Sequence, residues 1–352
     1  MGLLTTNGML IIDEIETASS HYYDVLGGGG TYAMLGASIC CTDLSLRKEL
    51  LWIVDRGMDF PKQLTETIES WDTGCVFRDD NERLTTRGYN VYGPNDFRSF
   101  KYLAPKKRID VSDWCESFGV KAVQRVSCYH LLCSADRVAD ILDKLAEELS
   151  FEGTLKTGQT FIWEPIPDLC NVEHLEGIKK LLNGPYHFIF SPNAEEGARM
   201  LGETEPTELS DCSTILLKLA ALIKPGNICV LRCGKKGSLA LICNKNPSND
   251  DIIHFPAYHY KTPECVIDPT GGGNTFLGAF AFAYAMCKDI SIASICGNIA
   301  AGCAIEQIGV PSHNGMHWNK TTFADRLLYY LSTYELKQGH SEILNSLQPM
   351  KY

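Results

Sequence analysis

The chain has 352 residues, 45% hydrophobic and 21% charged, and 43 acidic against 32 basic side chains leave a formal net charge of −11. That balance repels phosphate backbones and anionic lipid, which disfavours direct nucleic-acid or membrane-surface binding, while the hydrophobic share supports a sizeable core rather than disorder. Fifteen cysteines without any CxxC pair exclude a zinc ribbon and a disulfide framework, and suit a reducing compartment, the cytosol by default.

No secretory leader opens the sequence; residues 1–6 formally fit the myristoylation pattern but read first as the lead-in to a first strand, which leaves almost no free leash for a lipid. A strand is predicted over 7–13, closed by the Asp13 carboxylate and followed by the glycines Gly27 to Gly30. Runs at 50–54, 75–77, 128–133, 160–163, 187–191 and 228–232 read as further strands. Several are apolar at nearly every position, as in a parallel sheet buried on both faces. Helical periods fill the gaps: Ser134 opens a face of Val138, Ile141, Leu142, Leu145 and Leu149, and Ser210 opens one of Ile215, Leu216, Leu219 and Leu222. The alternation predicts a doubly wound, mostly parallel α/β sheet flanked by helices.

Residues 84–103 have no helical period and predict extended segments at the edge of the main sheet, a small β lid. Lys106, Lys107 and Arg108 read as a solvated loop, and 79–82 as a solvated turn. Two nearly uncharged helices follow between Gly271 and about Glu306, then an amphipathic one over 322–336. The longest apolar run, 276–287, has 12 residues, short of the ~20 a membrane span needs. With no linker-like tract, the expected organisation is one α/β domain over 1–335, lid elements at about 14–26 and 84–105, and a tail at 336–352.

The strongest local signal is the segment Asp268-Pro-Thr-Gly-Gly-Gly-Asn-Thr-Phe276. Gly271, Gly272 and Gly273 at a helix start let backbone N–H groups converge on an anion, with the helix dipole adding to the attraction. A glycine turn that simply packs a helix closely is the other reading. Neither a P-loop nor a complete GxGxxG occurs, so P-loop NTPases and ordinary dinucleotide folds are excluded. Asp13 and the glycines after it suit recognition of a polyol by hydrogen bonds. His313 and His317 have no evident third ligand.

Taken in order, these motifs resemble the PfkB/ribokinase-like carbohydrate kinases over most of the chain. The matches are the segment from Gly8 to Asp13, the glycines Gly27 to Gly30, Ser191-Pro-Asn-Ala-Glu-Glu196, Leu231-Arg-Cys-Gly-Lys-Lys-Gly237, the Asp268 to Asn274 loop, and Asn298 to Gly302. The resemblance implies ATP and Mg²⁺ as cofactors, with a nucleotide and a sugar-like small molecule as ligands. It implies that Asp13, Gly28 and Gly29 contact substrate hydroxyls beneath the lid. Asn193 and Glu196 would organise Mg²⁺ through water, Gly234 would lie along the nucleotide phosphates and Asn298 near the adenine. The amides of Gly271, Gly272 and Gly273 would form the anion hole. Asn193 and Glu196 also suit a helix cap, and Gly234 with Gly237 a hairpin turn.

Three positions depart from the family. Asn274 stands where the family carries the Asp that takes the proton of the attacking hydroxyl, and an amide cannot serve as that base. Tyr32 replaces a substrate-binding Asn, and Arg232 a phosphate-contacting Thr, although a cation there can still hold a phosphate. Asp268 matches a residue that holds the loop's shape. Asn274, the triple glycine and the 84–103 segment are also similar to a fungal maintenance-of-killer branch, linked to double-stranded RNA virus-like particles. Catalytically weakened kinase and pseudokinase with a protein partner are therefore both open, and so is a homodimer.

Overall fold

A computed structural model describes residues 2–92, 98–149, 158–336 and 343. Thirteen strands carry the two larger sheets: β1 (Leu4–Thr6), β2 (Ile11–Glu16), β3 (His21–Gly27), β4 (Leu50–Gly57), β5 (Gly74–Asp80), β6 (Arg87–Tyr92), β7 (Arg98–Tyr102), β8 (Cys128–Leu132), β9 (Thr160–Glu164), β10 (His187–Phe190), β11 (Ile228–Arg232), β12 (Ser238–Ile242) and β13 (Ile253–Phe255). The main sheet runs β13-β12-β11-β10-β9-β8-β1-β4-β5, with every pair from β11 to β5 parallel and a terminal antiparallel meander β11-β12-β13.

Side-chain alternation along the buried strands divides the core. Ile162 of β9 packs into one cluster with the helices Gly29–Cys40, Gly272–Cys287 and Ile290–Ala304, whereas its neighbours Phe161 and Trp163 pack into the other, with Ala135–Leu149 and Leu209–Ala220. Helices thus cover both faces, as the continuous apolar runs predict. Helix Leu209–Ala220 begins one residue before the predicted Ser210 and is capped at Glu208. Leu149 is the last residue of its helix, but its side chain, like nearly all of the expected 336–352 tail, lies outside the described residues. Leu336 and Ile343 are the exceptions: Leu336 packs against the core and Ile343 is buried in it. No described helix is long and apolar enough to cross a membrane.

Two expectations change. The predicted 7–13 strand is only partly a strand: β1 ends at Thr6 in the main sheet, residues 7–10 belong to no strand, and β2 starts at Ile11 in a different sheet. Between them Gly8 donates to Thr6 Oγ1 (2.9 Å) and its Cα faces the backbone of Gly29 and Gly30 so closely that no side chain fits. Asp13 therefore sits inside a strand rather than closing one. The 84–103 segment does not extend the main sheet; β6 and β7 join β2 and β3 in a separate sheet of order β3-β2-β6-β7. Strands β2, β3, β6 and β7 make up the lid sheet. His313 and His317 lie on a small three-stranded antiparallel sheet, His313 opposite Trp318 and His317 opposite Thr322. Among the described residues no cluster of three or more potential metal ligands forms.

Helix Gly272–Cys287 carries the glycine loop at its start, and its position is set by close contact with Gly29–Cys40. A Cβ at Gly278 would overlap the Ala33 carbonyl oxygen, and one at Gly36 would overlap that of Thr275. Backbone cannot yield as a flexible side chain does. Gly278→Ala is expected to lower the unfolding free energy by about 3 kcal/mol in a urea titration; a loss below about 0.5 kcal/mol, the range of neutral surface changes, would show that the two helices do not meet this way.

Candidate active site

The candidate site lies at the carboxyl ends of β1, β8, β9 and β11, where ligands of open α/β sheets collect. The turn into helix Gly272–Cys287 is made by Gly271, with φ 75° in the left-handed region, and Tyr32 lies so close over it that a side chain there would overlap the ring. Gly272 N–H donates to Pro269 (3.2 Å) and Thr275 N–H to Gly271 (2.8 Å), whereas the N–H groups of Gly273 and Asn274 donate to nothing among the described residues. These two free donors sit at the positive end of a 16-residue helix.

Three charged side chains surround that helix start. Glu164, the last residue of β9, is 6% exposed and accepts from Arg232 Nη1 at 2.7 Å and from Asn274 Nδ2 at 2.5 Å, with His130 Nε2 at 3.5 Å. Burial pushes the Glu164 carboxyl up, but the Arg232 charge, then His130 and the Asn274 amide, outweigh it and hold the group below the usual Glu value. Arg232, the last residue of β11, also donates to Ser191 O (3.2 Å) and reaches Glu196 Oε2 (3.5 Å), and its buried Nε has no partner among the described residues. A side chain at Gly273 would overlap its Nη1, so the guanidinium lies against the glycine loop.

Asn193 and Glu196 form a reciprocal capping box: Asn193 N–H donates to Glu196 Oε2 (2.8 Å) and Glu196 N–H to Asn193 Oδ1 (2.7 Å). A bridge between Asn193 and Arg232 ties this cap to the end of β11. Burial raises the Glu196 carboxyl above its ordinary value; Arg232 opposes the rise and Glu164 adds to it.

The lid brings a second carboxylate. Asp13, in the middle of β2, is 6% exposed and has one carboxylate oxygen without a partner among the described residues. Burial pushes it up to about 7, against a hydrogen bond from Asn90, and the Asp268 carboxylate adds to the rise. Burial, then Asp13 and Asp268, holds the Tyr32 hydroxyl far above its ordinary value, so it stays protonated. Asp268 accepts from Thr270 N–H (2.9 Å) and from the lid's Tyr92 hydroxyl (3.3 Å), and Tyr92 also bonds Thr270. Gly28, with φ 94°, caps the helix that starts at Gly29, and the Asn274 amide lies against Gly29. A cleft of about 550 Å³ opens here between lid and sheet, lined by Gly8, Gly29, Tyr102, Arg108, Leu132 and Arg137.

The fold therefore brings together Asp13, Gly28, Gly29, Tyr32, Asn193, Glu196, Arg232, Gly271, Gly272, Gly273 and Asn274. Gly234 and Asn298 stand apart from this contact network. Gly234 is exposed in the β11–β12 hairpin with φ 53° and open space around it. Asn298 is buried and donates to Ser238 Oγ and Ser294 O, both at 2.9 Å. Sequence reading missed Glu164, His130 and Tyr92. A lone Glu after an apolar strand reads as its solvated end, and the only available signal was its place at the carboxyl end of a fully buried strand.

The pfkB carbohydrate kinase family pattern matches residues 156–314. Protein MAK32 of Saccharomyces cerevisiae is 47% identical over 353 residues, spanning 98% of this chain and 96% of that protein. The chain belongs to the pfkB family of carbohydrate kinases. An uncharacterised Schizosaccharomyces pombe protein is 32% identical over 95% of this pfkB chain and 93% of its own. Among solved structures, ribokinase from Giardia lamblia superposes with a TM-score of 0.69 at 13% identity, covering 95% of this chain and 99% of that one. Adenosine kinase from Anopheles gambiae gives 0.66 at 16% identity over 88% and 96%. These likenesses establish the ribokinase-like fold.

The raised Asp13 pKa carries a stability consequence. Its carboxyl is protonated in the fold up to about pH 7 but ionises near 3.8 when unfolded, so its contribution is complete below pH 4 and is lost as pH rises through 7. Asp13→Asn is expected to raise the melting temperature at pH 8 relative to wild type, with the gap closing towards pH 4. An equal gap at both pH values would contradict the assignment.

Proposed function

We propose that the protein transfers the terminal phosphoryl group of ATP, with Mg²⁺, to a hydroxyl of a sugar- or nucleoside-like acceptor in the cytoplasm, at a rate held down by Asn274. The observation that carries this reading is the start of helix Gly272–Cys287, where the free N–H groups of Gly273 and Asn274 meet the Arg232 guanidinium. Two orphan amides and an unpartnered, buried Nε suit the oxygens of a phosphoryl group. With a surface this acidic, the few donors gathered here have to supply that attraction. Asn193 and Glu196 would hold Mg²⁺ through water, with Gly234 beside the phosphates and Asn298 bordering the adenine. Bound there, Mg²⁺-ATP supplies the electrophilic phosphorus.

The remaining chemistry belongs to the chain. Asp13, with Gly28 and Gly29, would bind the acceptor hydroxyls beneath the lid. The Tyr32 hydroxyl, protonated and beside Asp13 and Asp268, would replace an amide in that recognition and narrow the choice of acceptor. Asn274 can orient the attacking hydroxyl but cannot take its proton, which costs roughly 10²–10⁴-fold in rate. Phosphoryl transfer relies chiefly on positioning and electrostatic stabilisation, so turnover is expected to be slow rather than absent.

A nucleotide- or partner-binding pseudokinase is the second reading. It is favoured by one observation: the Asn274 amide donor is committed to Glu164. The maintenance-of-killer resemblance would give such a protein a role in maintaining double-stranded RNA virus-like particles.

Binding to the native state raises apparent stability by about 2.7 kcal/mol at a hundred times Kd. Millimolar Mg²⁺-ATP is expected to raise the melting temperature of the wild type, and Gly272→Asp, which puts a carboxylate at the helix start, is expected to abolish that shift. Labelled ATP with a panel of sugars and nucleosides then separates slow transfer from none. No shift in the wild type, or an equal shift in the variant, would contradict a nucleotide site at this loop.

A further inference from the structure

The buried carboxylate of Glu164 has no part in the transfer reading above, yet it makes the shortest contact to Asn274 in the site. An ionised carboxylate only accepts hydrogen bonds, so the atom of Asn274 facing Glu164 at 2.5 Å has to be the amide nitrogen. The carbonyl oxygen Oδ1 is thereby turned away from Glu164 and takes no bond among the described residues. The same amide lies against Gly29, which lines the cleft under the lid.

We propose that Glu164 and Asn274 are a charge-matched pair, in which the site's carboxylate stands at 164 and Glu164 acts as a positioning residue that fixes the Asn274 amide with Oδ1 presented to the acceptor hydroxyl. On this account Asn274 is the partner that Glu164 requires rather than a decayed base. A second carboxylate at 274 would stand against Glu164 with one guanidinium, Arg232, to neutralise both, while Glu196 already draws on that same cation. Restoring an acid at 274 alone would therefore damage the site, because two buried like charges cannot both ionise without cost. Exchanging the two groups keeps the charge, the hydrogen bond and nearly the volume.

The test is a double-mutant cycle of Glu164→Gln, Asn274→Asp and the exchange variant carrying both, on the full-length chain. Each single change is expected to lower the melting temperature, and the exchange to recover at least half of the summed loss. If Asn274→Asp does not fold, folding of the exchange variant is the same recovery. The Asn274→Asp loss should grow as pH rises from 4 to 8. There the added carboxyl, its pKa raised by Glu164 and only partly offset by Arg232 and His130, holds a proton in the fold that it releases when unfolded. Additive losses, or an exchange variant that does not fold, would overturn the pairing.

Turnover is the second readout, one that a merely structural pair would leave unchanged, and it rests on the transfer reading. With a carboxylate at 274, the exchange variant should transfer phosphate about a hundred-fold faster than wild type. Its rate should gain a single-ionisation rise on the acid side that the wild type lacks. An exchange variant that is stable, shifts with Mg²⁺-ATP and still turns over no faster than wild type would overturn the positioning role. Recovered stability with no turnover and no Mg²⁺-ATP shift in any chain would instead retain the matched pair and remove the transfer reading.

Discussion

The candidate site is organised around one largely buried guanidinium, that of Arg232, whose side chain is 11% exposed. Arg232 ends β11 between two carboxylates from different elements, Glu164 at the end of β9 and Glu196 in the first turn after β10, and it also abuts Gly273. A buried ion pair is weak evidence for stability, since desolvation consumes much of the attraction, but breaking one leaves an uncompensated charge at a cost of several kcal/mol. The arrangement thus constrains strands β9 and β11, the Asn193 cap and the glycine loop to one geometry. Two carboxylates against one guanidinium leave a net negative interior, which the opposing pKa directions of Glu164 and Glu196 reflect.

From that constraint the polarity of the site follows. The Gly273 and Asn274 N–H groups and the Arg232 Nε have no acceptor among the described residues, while Asp13 and Asp268 bring carboxylates from the lid side. The lid is joined to the glycine loop through Tyr92, which touches both Asp268 and Thr270, so lid position and loop shape are mechanically linked.

Much of this was legible in the sequence, for identifiable reasons. Strands β8 to β11 were readable because parallel strands buried on both faces are continuous apolar runs. The glycine loop was readable because a triple glycine before a long uncharged helix has few other uses. The break at 7–10 went unread although Asn7-Gly8 is a turn dipeptide, because Met9 to Ile12 is apolar without interruption and continues the strand pattern. Lid pairing between β2 and β6 joins residues more than seventy positions apart, beyond any local pattern. Glu164 was invisible for the same reason: its three partners come from β8, β11 and the helix after the glycine loop, and none is near it in sequence.

The central claim is that the Arg232-centred cluster and the helix start together form the phosphoryl-transfer site. A crystal structure with Mg²⁺-ADP and aluminium fluoride tests it most directly. The account predicts the planar fluoride on the N–H groups of Gly273 and Asn274 at about 3 Å, with Glu164 still bonded to both Arg232 and Asn274. Nucleotide bound elsewhere, or a fluoride site that expels Arg232 from Glu164, would contradict it.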